Sequence, residues 1–471
     1  MIKEMSADRR GAEKRVLDAY AKAQELQPKL NDVITFVDPA EQLKNLPEEG
    51  LMRGVPIVLK DNVNTKGIRT TAGSRILSNY VPVYDAEIVE KLRKAGAVCI
   101  AKSSMDELAM GGTNLTCFTG PAYNPWDTRR MTGGSSGGSA ALVASGVVPM
   151  AIGSDTGDSV RKPASFCGVV GVKPTYGRIS RYGIIQYASS LDHVGYFTRS
   201  VEDACMTLKV LAGRDDRDMT SSNKEVPDYS ALLNADMKGK KIAVLGNVVK
   251  NISNTETVKM FNDLMDKLRA KGAQVDVYDF DEAIMRAILP AYFIIANCEA
   301  TSNDSNLDGI RFGVREDGAD MAEIMTNSRT KGFGPLIRRR FVIGSYGLFE
   351  ANQERIFRKA QKVRRVVVNA MDACLKEYDA IVAPASGNIA PLIKSNEDQD
   401  ALSDENLIAE NYMAMANFSG YPSMTVPMGF EEGCPIGINI TCRAFEETTM
   451  FDVAQAVEDI TGYKDLQAEV K

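Results

Sequence analysis

Residues Gly133 to Pro174 read GGSSGGSAALVASGVVPMAIGSDTGDSVRKPASFCGVVGVKP. Two clusters of glycine and serine, 133–139 and 153–159, enclose a span of small apolar residues. A flexible Gly/Ser spacer does not enclose an apolar span of this kind. Glycine-lined turns held by buried elements can bring backbone N–H groups and hydroxyls close to a reacting group. The stretch therefore predicts two loops of an active site.

The composition is typical of a soluble globular protein. The chain has 471 residues, of which 44% are hydrophobic and 25% charged, enough for one large domain or two to three smaller ones. The net charge of −6 argues against nucleic-acid binding by this chain alone. The longest apolar run, 140–152, is too short and too interrupted to span a membrane. The N-terminus has no secretion signal, so we expect a cytoplasmic protein.

Cysteine and histidine usage excludes several kinds of site. The eight cysteines show no CxxC spacing, which predicts reduced, mostly buried thiols and no zinc site. His193 is the single histidine, so motifs that need two histidines are excluded and no metal site is predicted. The sequence around His193, SSLDHVG, fits a strand end or a turn. A hydrogen-bonded structural role is favoured over a catalytic one.

Helical and strand patterns alternate along the chain. Asp85 is predicted to cap a helix, and residues 97–101 follow that helix as a buried strand. A helix up to Ala144 precedes another buried strand over 147–152. This alternation predicts a layered α/β fold. We expect a single domain over 1–471, with an N-terminal helical segment at about 1–30 and a possible polar excursion at about 213–240.

Lys60 is a candidate catalytic base. With histidine unsuited to the role, a serine nucleophile needs another base, and a neutral lysine is the usual substitute. Burial lowers the pKa of a lysine because it removes water from the ammonium. Lys60 ends the apolar run Val55–Leu59, where a solvated charge at a strand end is the plainer alternative. The paired glycine-serine turns favour the catalytic interpretation.

These motifs resemble those of the amidase signature family. VLKDN at Lys60, GGSSGGSAA at Ser135 and GSDTG followed by SVR and PA at Ser159 stand in the family's order and spacing. The resemblance implies a large mixed β-sheet sandwiched between layers of α-helices. It also implies a Ser–cis-Ser–Lys triad in which Ser159 is the nucleophile, Ser135 the bridging serine on a cis peptide and Lys60 the base. The implied oxyanion hole consists of the backbone N–H groups of Thr156, Gly157, Asp158 and Ser159.

Other polar residues of the two loops are predicted to be structural. Ser136, Ser139 and Ser154 are expected to support the turns by hydrogen bonds. Arg161 and Asp155 are expected to fix the geometry of the second loop.

Within that family, several stretches resemble the A subunits of glutamyl-tRNA(Gln) amidotransferases. The resemblance implies that the chain hydrolyses glutamine and passes ammonia to a B subunit, which amidates Glu-tRNA(Gln), while a small C subunit clasps the pair. ATP and Mg would then be used by the partner, which would also bind most of the tRNA, and the chain itself needs no cofactor. The stretches are 105–111, 173–178, 189–192 and 308–313.

The same resemblance implies three residues that bind glutamine. Its α-carboxylate suits a guanidinium and its α-ammonium a carboxylate. The family pattern assigns the first role to Arg340 and the second to Glu410, where such subunits more often have Asp, and it places Tyr292 in the pocket wall. The alternative for Arg338–Arg340 is a solvated or partner-facing helix turn.

Asp158 departs from the family pattern, which usually has glycine before the nucleophile. A carboxylate ~5 Å from the oxyanion, at an effective dielectric constant of ~20, would oppose it by roughly 3 kcal/mol. That energy corresponds to about a hundredfold in rate. Arg161 and Lys162 stand where they could receive the carboxylate. We therefore expect a working enzyme in which Asp158 turns away from the catalytic pocket.

The sequence leaves three other functions open. The chain could be a stand-alone amidase that acts on another small amide, or a catalytically idle scaffold for partner subunits. A glycine-loop nucleotide-binding module is a weaker alternative, because the sequence has no GxxxxGK[ST] motif.

Overall fold

A computed structural model describes residues 1–393, 403 and 405–470. Within these residues, eleven strands form one mixed sheet. The strands are β1 Val33–Phe36, β2 Pro56–Lys60, β3 Val98–Ser103, β4 Met150–Asp155, β5 Val170–Lys173, β6 His193–Thr198, β7 Lys241–Leu245, β8 Gln274–Tyr278, β9 Ala380–Pro384, β10 Ser423–Glu431 and β11 Cys434–Thr441.

Helices connect and cover the strands. The α-helices of the described residues are α1 Ile2–Ala7, α2 Ala12–Leu30, α3 Ala40–Lys44, α4 Glu87–Lys94, α5 Gly137–Ala144, α6 Arg161–Cys167, α7 Val201–Leu211, α8 Tyr229–Leu232, α9 Gly246–Lys250, α10 Thr255–Ala270, α11 Glu282–Asn303, α12 Met321–Gly332, α13 Pro335–Leu348, α14 Glu350–Gln353, α15 Lys359–Glu377, α16 Met415–Ser419 and α17 Glu447–Thr461. A π-helical turn, Glu354–Arg358, links α14 to α15.

The order of the strands places β2 and β4, which are parallel, side by side. The sheet order is β1-β3-β2-β4-β6-β5-β10-β11-β9-β7-β8. Strand β2 is parallel to both β3 and β4, and β7 is parallel to both β8 and β9, whereas the other neighbours are antiparallel. Because β2 and β4 point the same way, their carboxyl ends lie at one edge of the sheet, where ligand sites of α/β proteins form.

Both faces of the sheet are buried, because successive side chains of a strand point to opposite faces. Ile57 and Leu59 of β2 pack in a core with α4, α7, α10 and α17. Val58, between them, packs on the other face with α2, α5 and α6. Ala243 of β7 packs on that same face with α11, α13 and α15. The predicted α/β fold, a large mixed sheet between helical layers, is therefore confirmed.

Helix α11 is long and apolar. By length and composition it could cross a membrane, since residues 282–306 contain a window of mean hydropathy 1.3. In the structure α11 packs against α13 and α15. Its side chains Ile288, Ile295 and Ala300 are buried in the core. Helix α11 is therefore a core helix of this fold.

Most predicted elements are present, with one corrected cap. The helix predicted to begin at Asp85 begins at Glu87, and Ala86 is its N-cap. The Asp85 carboxylate instead accepts the Lys66 N–H at 2.8 Å and pairs with Arg93 at 2.6 Å. The cap prediction was wrong because a neighbouring loop uses the carboxylate. The strand predicted over 147–152 runs from Met150 to Asp155.

Gly344 sets how closely α11 and α13 approach, and this generates a stability prediction. A Cβ at Gly344 would lie 2.1 Å from the Asn297 carbonyl oxygen and 2.1 Å from Thr301 Oγ1. Gly344→Ala is therefore expected to lower the free energy of unfolding by about 1–3 kcal/mol, as overpacking does. Denaturant titration measures it. Val342→Ala on the same helix, where Val342 is 69% exposed, is the control and should change little. Equal stability of Gly344→Ala and wild type would contradict the close packing.

Candidate active site

Lys60 lies at the carboxyl end of β2 and is completely buried. Its Nζ lies 2.7 Å from Ser135 Oγ, 2.8 Å from Ser136 Oγ and 3.3 Å from the Ser154 carbonyl oxygen. The Gly134–Ser135 peptide bond is cis, as the resemblance implies. The structure thus brings together the predicted base and the predicted bridging serine, while the contact with Ser136 was not predicted.

Burial gives the Lys60 amine the properties of a base. Removal of water lowers the pKa of Lys60 to about 7, although the carboxylates of Asp106, Asp155 and Asp192 oppose this shift. Near neutral pH a large fraction of such an amine is unprotonated, so it can accept a proton from a hydroxyl.

Asp106 holds the turn that contains the cis peptide. Its backbone N–H donates to the Ser135 carbonyl oxygen at 3.2 Å. Its carboxylate accepts the N–H groups of Thr113 and Asn114 at 3.1 and 2.8 Å. A Cβ at Gly134 would lie 2.0 Å from the Asp106 carboxylate and 2.6 Å from Thr113 N, so only glycine fits there. The first glycine cluster therefore allows backbone segments to approach closely around Lys60.

Asp155 holds the second loop. Its carboxylate accepts two bonds from the Arg161 guanidinium, at 2.8 and 3.1 Å, and one from the Val160 N–H at 2.9 Å. Asn417 donates a further bond at 2.9 Å. The charge of Arg161 keeps the pKa of Asp155 below its usual range against the effect of burial. The predicted role of Asp155 and Arg161 in fixing this loop is confirmed.

Ser159 follows directly in that loop. It is 3% exposed, and its carbonyl oxygen accepts the Ser136 N–H at 3.2 Å, which joins the two loops. Within the described part of the chain, its hydroxyl makes no hydrogen bond. The hydroxyl is therefore not committed to a structural contact.

The backbone around Ser159 offers unused donors. The N–H groups of Thr156, Gly157, Asp158 and Ser159 donate no hydrogen bond to any described residue. Unpaired, fixed N–H groups beside a nucleophile are what stabilisation of an oxyanion requires.

The remaining loop serines have the structural contacts that were predicted. Ser136 Oγ donates to the Ser154 carbonyl oxygen at 3.0 Å, and Ser139 Oγ donates to the Ile152 carbonyl oxygen at 2.8 Å. Ser154 Oγ accepts a bond from Asn62 at 3.1 Å.

A cavity of about 580 Å³ is lined by Asp158 of the second loop together with Lys162 and Glu410. That Asp158 turns away from the catalytic pocket stays a prediction, whereas the expected pairing of its carboxylate with Arg161 or Lys162 is wrong. The two expected partners are bound elsewhere, Arg161 to Asp155 and Lys162 to Glu410. Burial raises the pKa of Asp158 to about 6, and the Lys162 charge acts in the opposite direction.

Glu410 lines the same cavity, but its carboxylate is bound. It lies 2.6 Å from Lys162 Nζ and accepts the Gly387 N–H at 2.7 Å, with Ser386 Oγ 3.3 Å away. Lys162 keeps the pKa of Glu410 below its usual value despite burial. The structure thus places Glu410 at this cavity, already paired with a cation that was not considered as its partner.

Arg340 and Tyr292 both lie beside Tyr187, which the sequence analysis did not identify as a site residue. Arg340 Nη1 donates to the Tyr187 hydroxyl at 2.6 Å, whereas Arg338 and Arg339 are exposed. The alternative interpretation, a solvated helix turn, therefore applies to Arg338 and Arg339 but not to Arg340. Tyr292 reaches the loop that carries Ser159, since a Cβ at Gly157 would lie 2.8 Å from its ring.

Asp192 connects Tyr187 to the loop that carries Ser159 and was also missed as a site residue. Its carboxylate accepts the Thr156 hydroxyl at 2.7 Å and the Tyr187 and Ala188 N–H groups at 2.9 and 3.0 Å. The only sequence signal was its place in the 189–192 stretch, which marked the resemblance but no role.

His193 begins β6, and its ring is buried. Its Nδ1 lies 2.6 Å from the Leu191 carbonyl oxygen, and burial lowers the pKa of His193 well below its usual value. This is the structural role that was predicted. All eight cysteines are free and buried, also as predicted. Over residues 1–393, 403 and 405–470, no group of three or more His, Cys, Asp or Glu side chains is arranged to hold a metal ion.

The Asp155–Arg161 pair generates a second stability prediction. Both side chains are fully buried. Asp155→Asn leaves the Arg161 charge buried without a counter-charge, which typically costs about 3–5 kcal/mol. Denaturant titration of the variant should therefore show a reduced free energy of unfolding by that amount. The surface pair Lys331–Glu316, with side chains 66% and 29% exposed, is the control, and Glu316→Gln should change the free energy by less than about 1 kcal/mol. A small effect of Asp155→Asn would show that the pair does not hold the loop.

The comparisons with known proteins cover almost the whole chain. The sequence profile of the amidase family matches residues 15–451. The glutamyl-tRNA(Gln) amidotransferase A subunit of Lactobacillus delbrueckii subsp. bulgaricus is 40% identical over 450 residues, which are 95% of this chain and 92% of that protein.

Solved structures give the same result. The crystal structure of the glutamyl-tRNA(Gln) amidotransferase A subunit from Thermotoga maritima superposes with a TM-score of 0.81 at 35% identity, covering 98% of this chain and 95% of that one. The native peptide amidase from Stenotrophomonas maltophilia superposes with a TM-score of 0.83 at 28% identity, covering 99% and 96%. The fold is thus shared by relatives with different named activities.

Proposed function

Because the chain belongs to the amidase family, we propose that it is the glutaminase subunit of a tRNA-dependent amidotransferase. In this role it hydrolyses glutamine and supplies ammonia for the conversion of Glu-tRNA(Gln) to Gln-tRNA(Gln). The proposal depends most on one observation, the buried Lys60 amine 2.7 Å from Ser135 Oγ beside the Ser159 loop. The 40% identity to an amidotransferase A subunit over 95% of the chain supports this choice of reaction.

The proposed mechanism uses Lys60, Ser135 and Ser159 as a proton relay. Ser159 Oγ attacks the carboxamide carbon and gives its proton to Ser135 Oγ, which gives its own proton to the neutral Lys60 amine. The proton then returns to the leaving nitrogen, the C–N bond breaks, and ammonia leaves an acyl ester on Ser159. Water, deprotonated through the same relay, hydrolyses the ester to glutamate. The relay needs a neutral amine, which the pKa of Lys60 of about 7 supports.

We assign the oxyanion hole to the four unpaired backbone N–H groups of residues 156–159. Removing one such donor elsewhere typically costs about 3–4 kcal/mol of transition-state stabilisation. Fixed donors stabilise the developing charge without reorganising during the reaction. The buried Asp155–Arg161 pair keeps this segment in place.

Arg340 is assigned to the α-carboxylate of glutamine, with Tyr292 in the wall between Arg340 and the nucleophile loop. A guanidinium suits a carboxylate because it offers donors in a planar fork. The α-ammonium is assigned to the acidic side of the cavity, which Glu410 and Asp158 line.

The proposed partners are B and C subunits in a heterotrimer. The B subunit would use ATP and Mg and would bind most of the charged tRNA, consistent with the net charge of −6 on this chain. A cytoplasmic location follows from that role in protein synthesis. The stand-alone amidase remains the second candidate, because Asp158 and the Lys162–Glu410 pair alter the cavity where glutamine would be recognised.

The pH dependence of glutamine hydrolysis tests Lys60. Because the pKa of Lys60 is lowered to about 7, the active neutral amine is lost as the pH falls through 7. We expect kcat/KM to rise about tenfold per pH unit below 7 and to level off above it. Lys60→Met should lower kcat by about 10⁴-fold. A profile in wild type that is flat from pH 5.5 to 8 would contradict the proposed base.

Reconstitution tests the reaction and separates the candidates. Added B and C subunits should raise glutamine hydrolysis and allow glutamine-dependent amidation of Glu-tRNA(Gln). Ser159→Ala should lower hydrolysis by about 10⁴-fold or more, whereas Ser230→Ala at an exposed position is the matched control. Hydrolysis that is indifferent to the partners would favour the stand-alone amidase. Unchanged hydrolysis in Ser159→Ala would favour the idle scaffold.

A further inference from the structure

We propose that Asp158, and not Glu410, is the carboxylate that receives the α-ammonium of the substrate, and that Glu410 serves to hold Lys162. This inference rests on the proposed function and names the residue that sets substrate specificity in the same site.

The contacts of Glu410 leave little capacity for a substrate cation. One of its carboxylate oxygens lies 2.6 Å from Lys162 Nζ, and the other accepts the Gly387 N–H at 2.7 Å. Ser386 Oγ is 3.3 Å from both oxygens. Lys162 also donates to the Glu410 carbonyl oxygen at 2.9 Å, and its side chain is only 7% exposed. A substrate ammonium at Glu410 would therefore have to displace a buried, doubly bonded cation.

Unlike Glu410, Asp158 has a carboxylate that no described residue binds. It lines the same cavity, and its carboxylate accepts no hydrogen bond from any described residue. No described cation lies within 4.0 Å of it, because Arg161 is bound by Asp155 and Lys162 by Glu410. An ammonium that enters the cavity would therefore meet one carboxylate without a partner, and the pairing would satisfy both groups.

The position of Asp158 fits an α-amino acid amide. Consecutive Cα atoms are ~3.8 Å apart, so the carboxylate lies within one side-chain length of the proposed nucleophile. Tyr292 lies against the loop that carries Asp158, since a Cβ at Gly157 would lie 2.8 Å from its ring, and Arg340 Nη1 donates to the Tyr187 hydroxyl at 2.6 Å. A zwitterionic α-carbon presents an ammonium and a carboxylate together, so its recognition needs one anion, assigned here to Asp158, and one cation, assigned to Arg340.

The assignment also explains how a carboxylate can be accommodated beside an oxyanion hole. An unpaired Asp158 would oppose the negative charge that develops on the substrate oxygen. A bound ammonium cancels that field, so a substrate that carries the ammonium reacts without repulsion between Asp158 and the oxyanion. An amide without an α-ammonium would bind less tightly and, once bound, would also react more slowly.

L-glutamine and 5-amino-5-oxopentanoate, which is glutamine without its α-amino group, test this. Both are assayed with the full chain in its complex at pH 8, where Asp158 and Lys60, with pKa values of about 6 and about 7, are mostly deprotonated. Asp158→Asn should lower kcat/KM for glutamine by about 10- to 100-fold. The same variant should raise kcat for the des-amino amide, because no carboxylate then opposes the oxyanion.

Two variants sharpen the test. Asp263→Asn, the same change at an exposed position on α10, should alter neither substrate. The double variant Lys162→Met, Glu410→Gln removes the buried pair without releasing a cation toward Asp158, so it should keep the preference for glutamine over the des-amino amide. Circular dichroism and thermal melting verify that each variant folds.

The outcomes separate the inference from the proposed function. If Asp158→Asn keeps the full preference for glutamine, or if the double variant of Lys162 and Glu410 loses it, the assignment of Asp158 is overturned while the glutaminase remains. If the wild-type complex does not hydrolyse glutamine, the proposed function fails and this inference falls with it.

Discussion

The removal of the Lys60 amine from water is the constraint on which the rest of the site depends. In solution a lysine is an ammonium and cannot take a proton from a hydroxyl at neutral pH. At the end of β2 the pKa of Lys60 falls to about 7 because burial removes water from the amine. Two hydroxyls and a carbonyl oxygen surround the amine, so it is both desolvated and oriented.

That burial requires three segments to converge, and the fold supplies each of them. The parallel pairing of β2 and β4 brings the Ser154 carbonyl to Lys60. The turn held by Asp106 presents Ser135. Glycine at position 134 allows the close approach, because the space where a Cβ would lie is occupied. The apolar span between the two glycine clusters is the core helix and strand that anchor both turns.

Three carboxylates of the site are each bound by other groups of the protein. Asp155 is neutralised by Arg161, and Glu410 by Lys162. Asp192 is satisfied by a hydroxyl and two N–H groups. Satisfied buried polar networks of this kind are rigid and specify one arrangement. Asp158 is the exception at the cavity wall, because its carboxylate accepts no hydrogen bond from any described residue.

The sequence by itself determined the residue types of the site, the α/β fold and the loops that carry Ser135 and Ser159. It could do so because motif spacing, glycine clusters and strands buried on both faces are local properties. Only the tertiary structure decided which partner each charge takes. Local spacing favoured Asp158 as the partner of Lys162, yet Lys162 pairs with Glu410, 248 positions away. The structure decides such pairs because a charge goes to the counter-charge that folding brings within contact distance, and distant segments are placed by packing of the whole core.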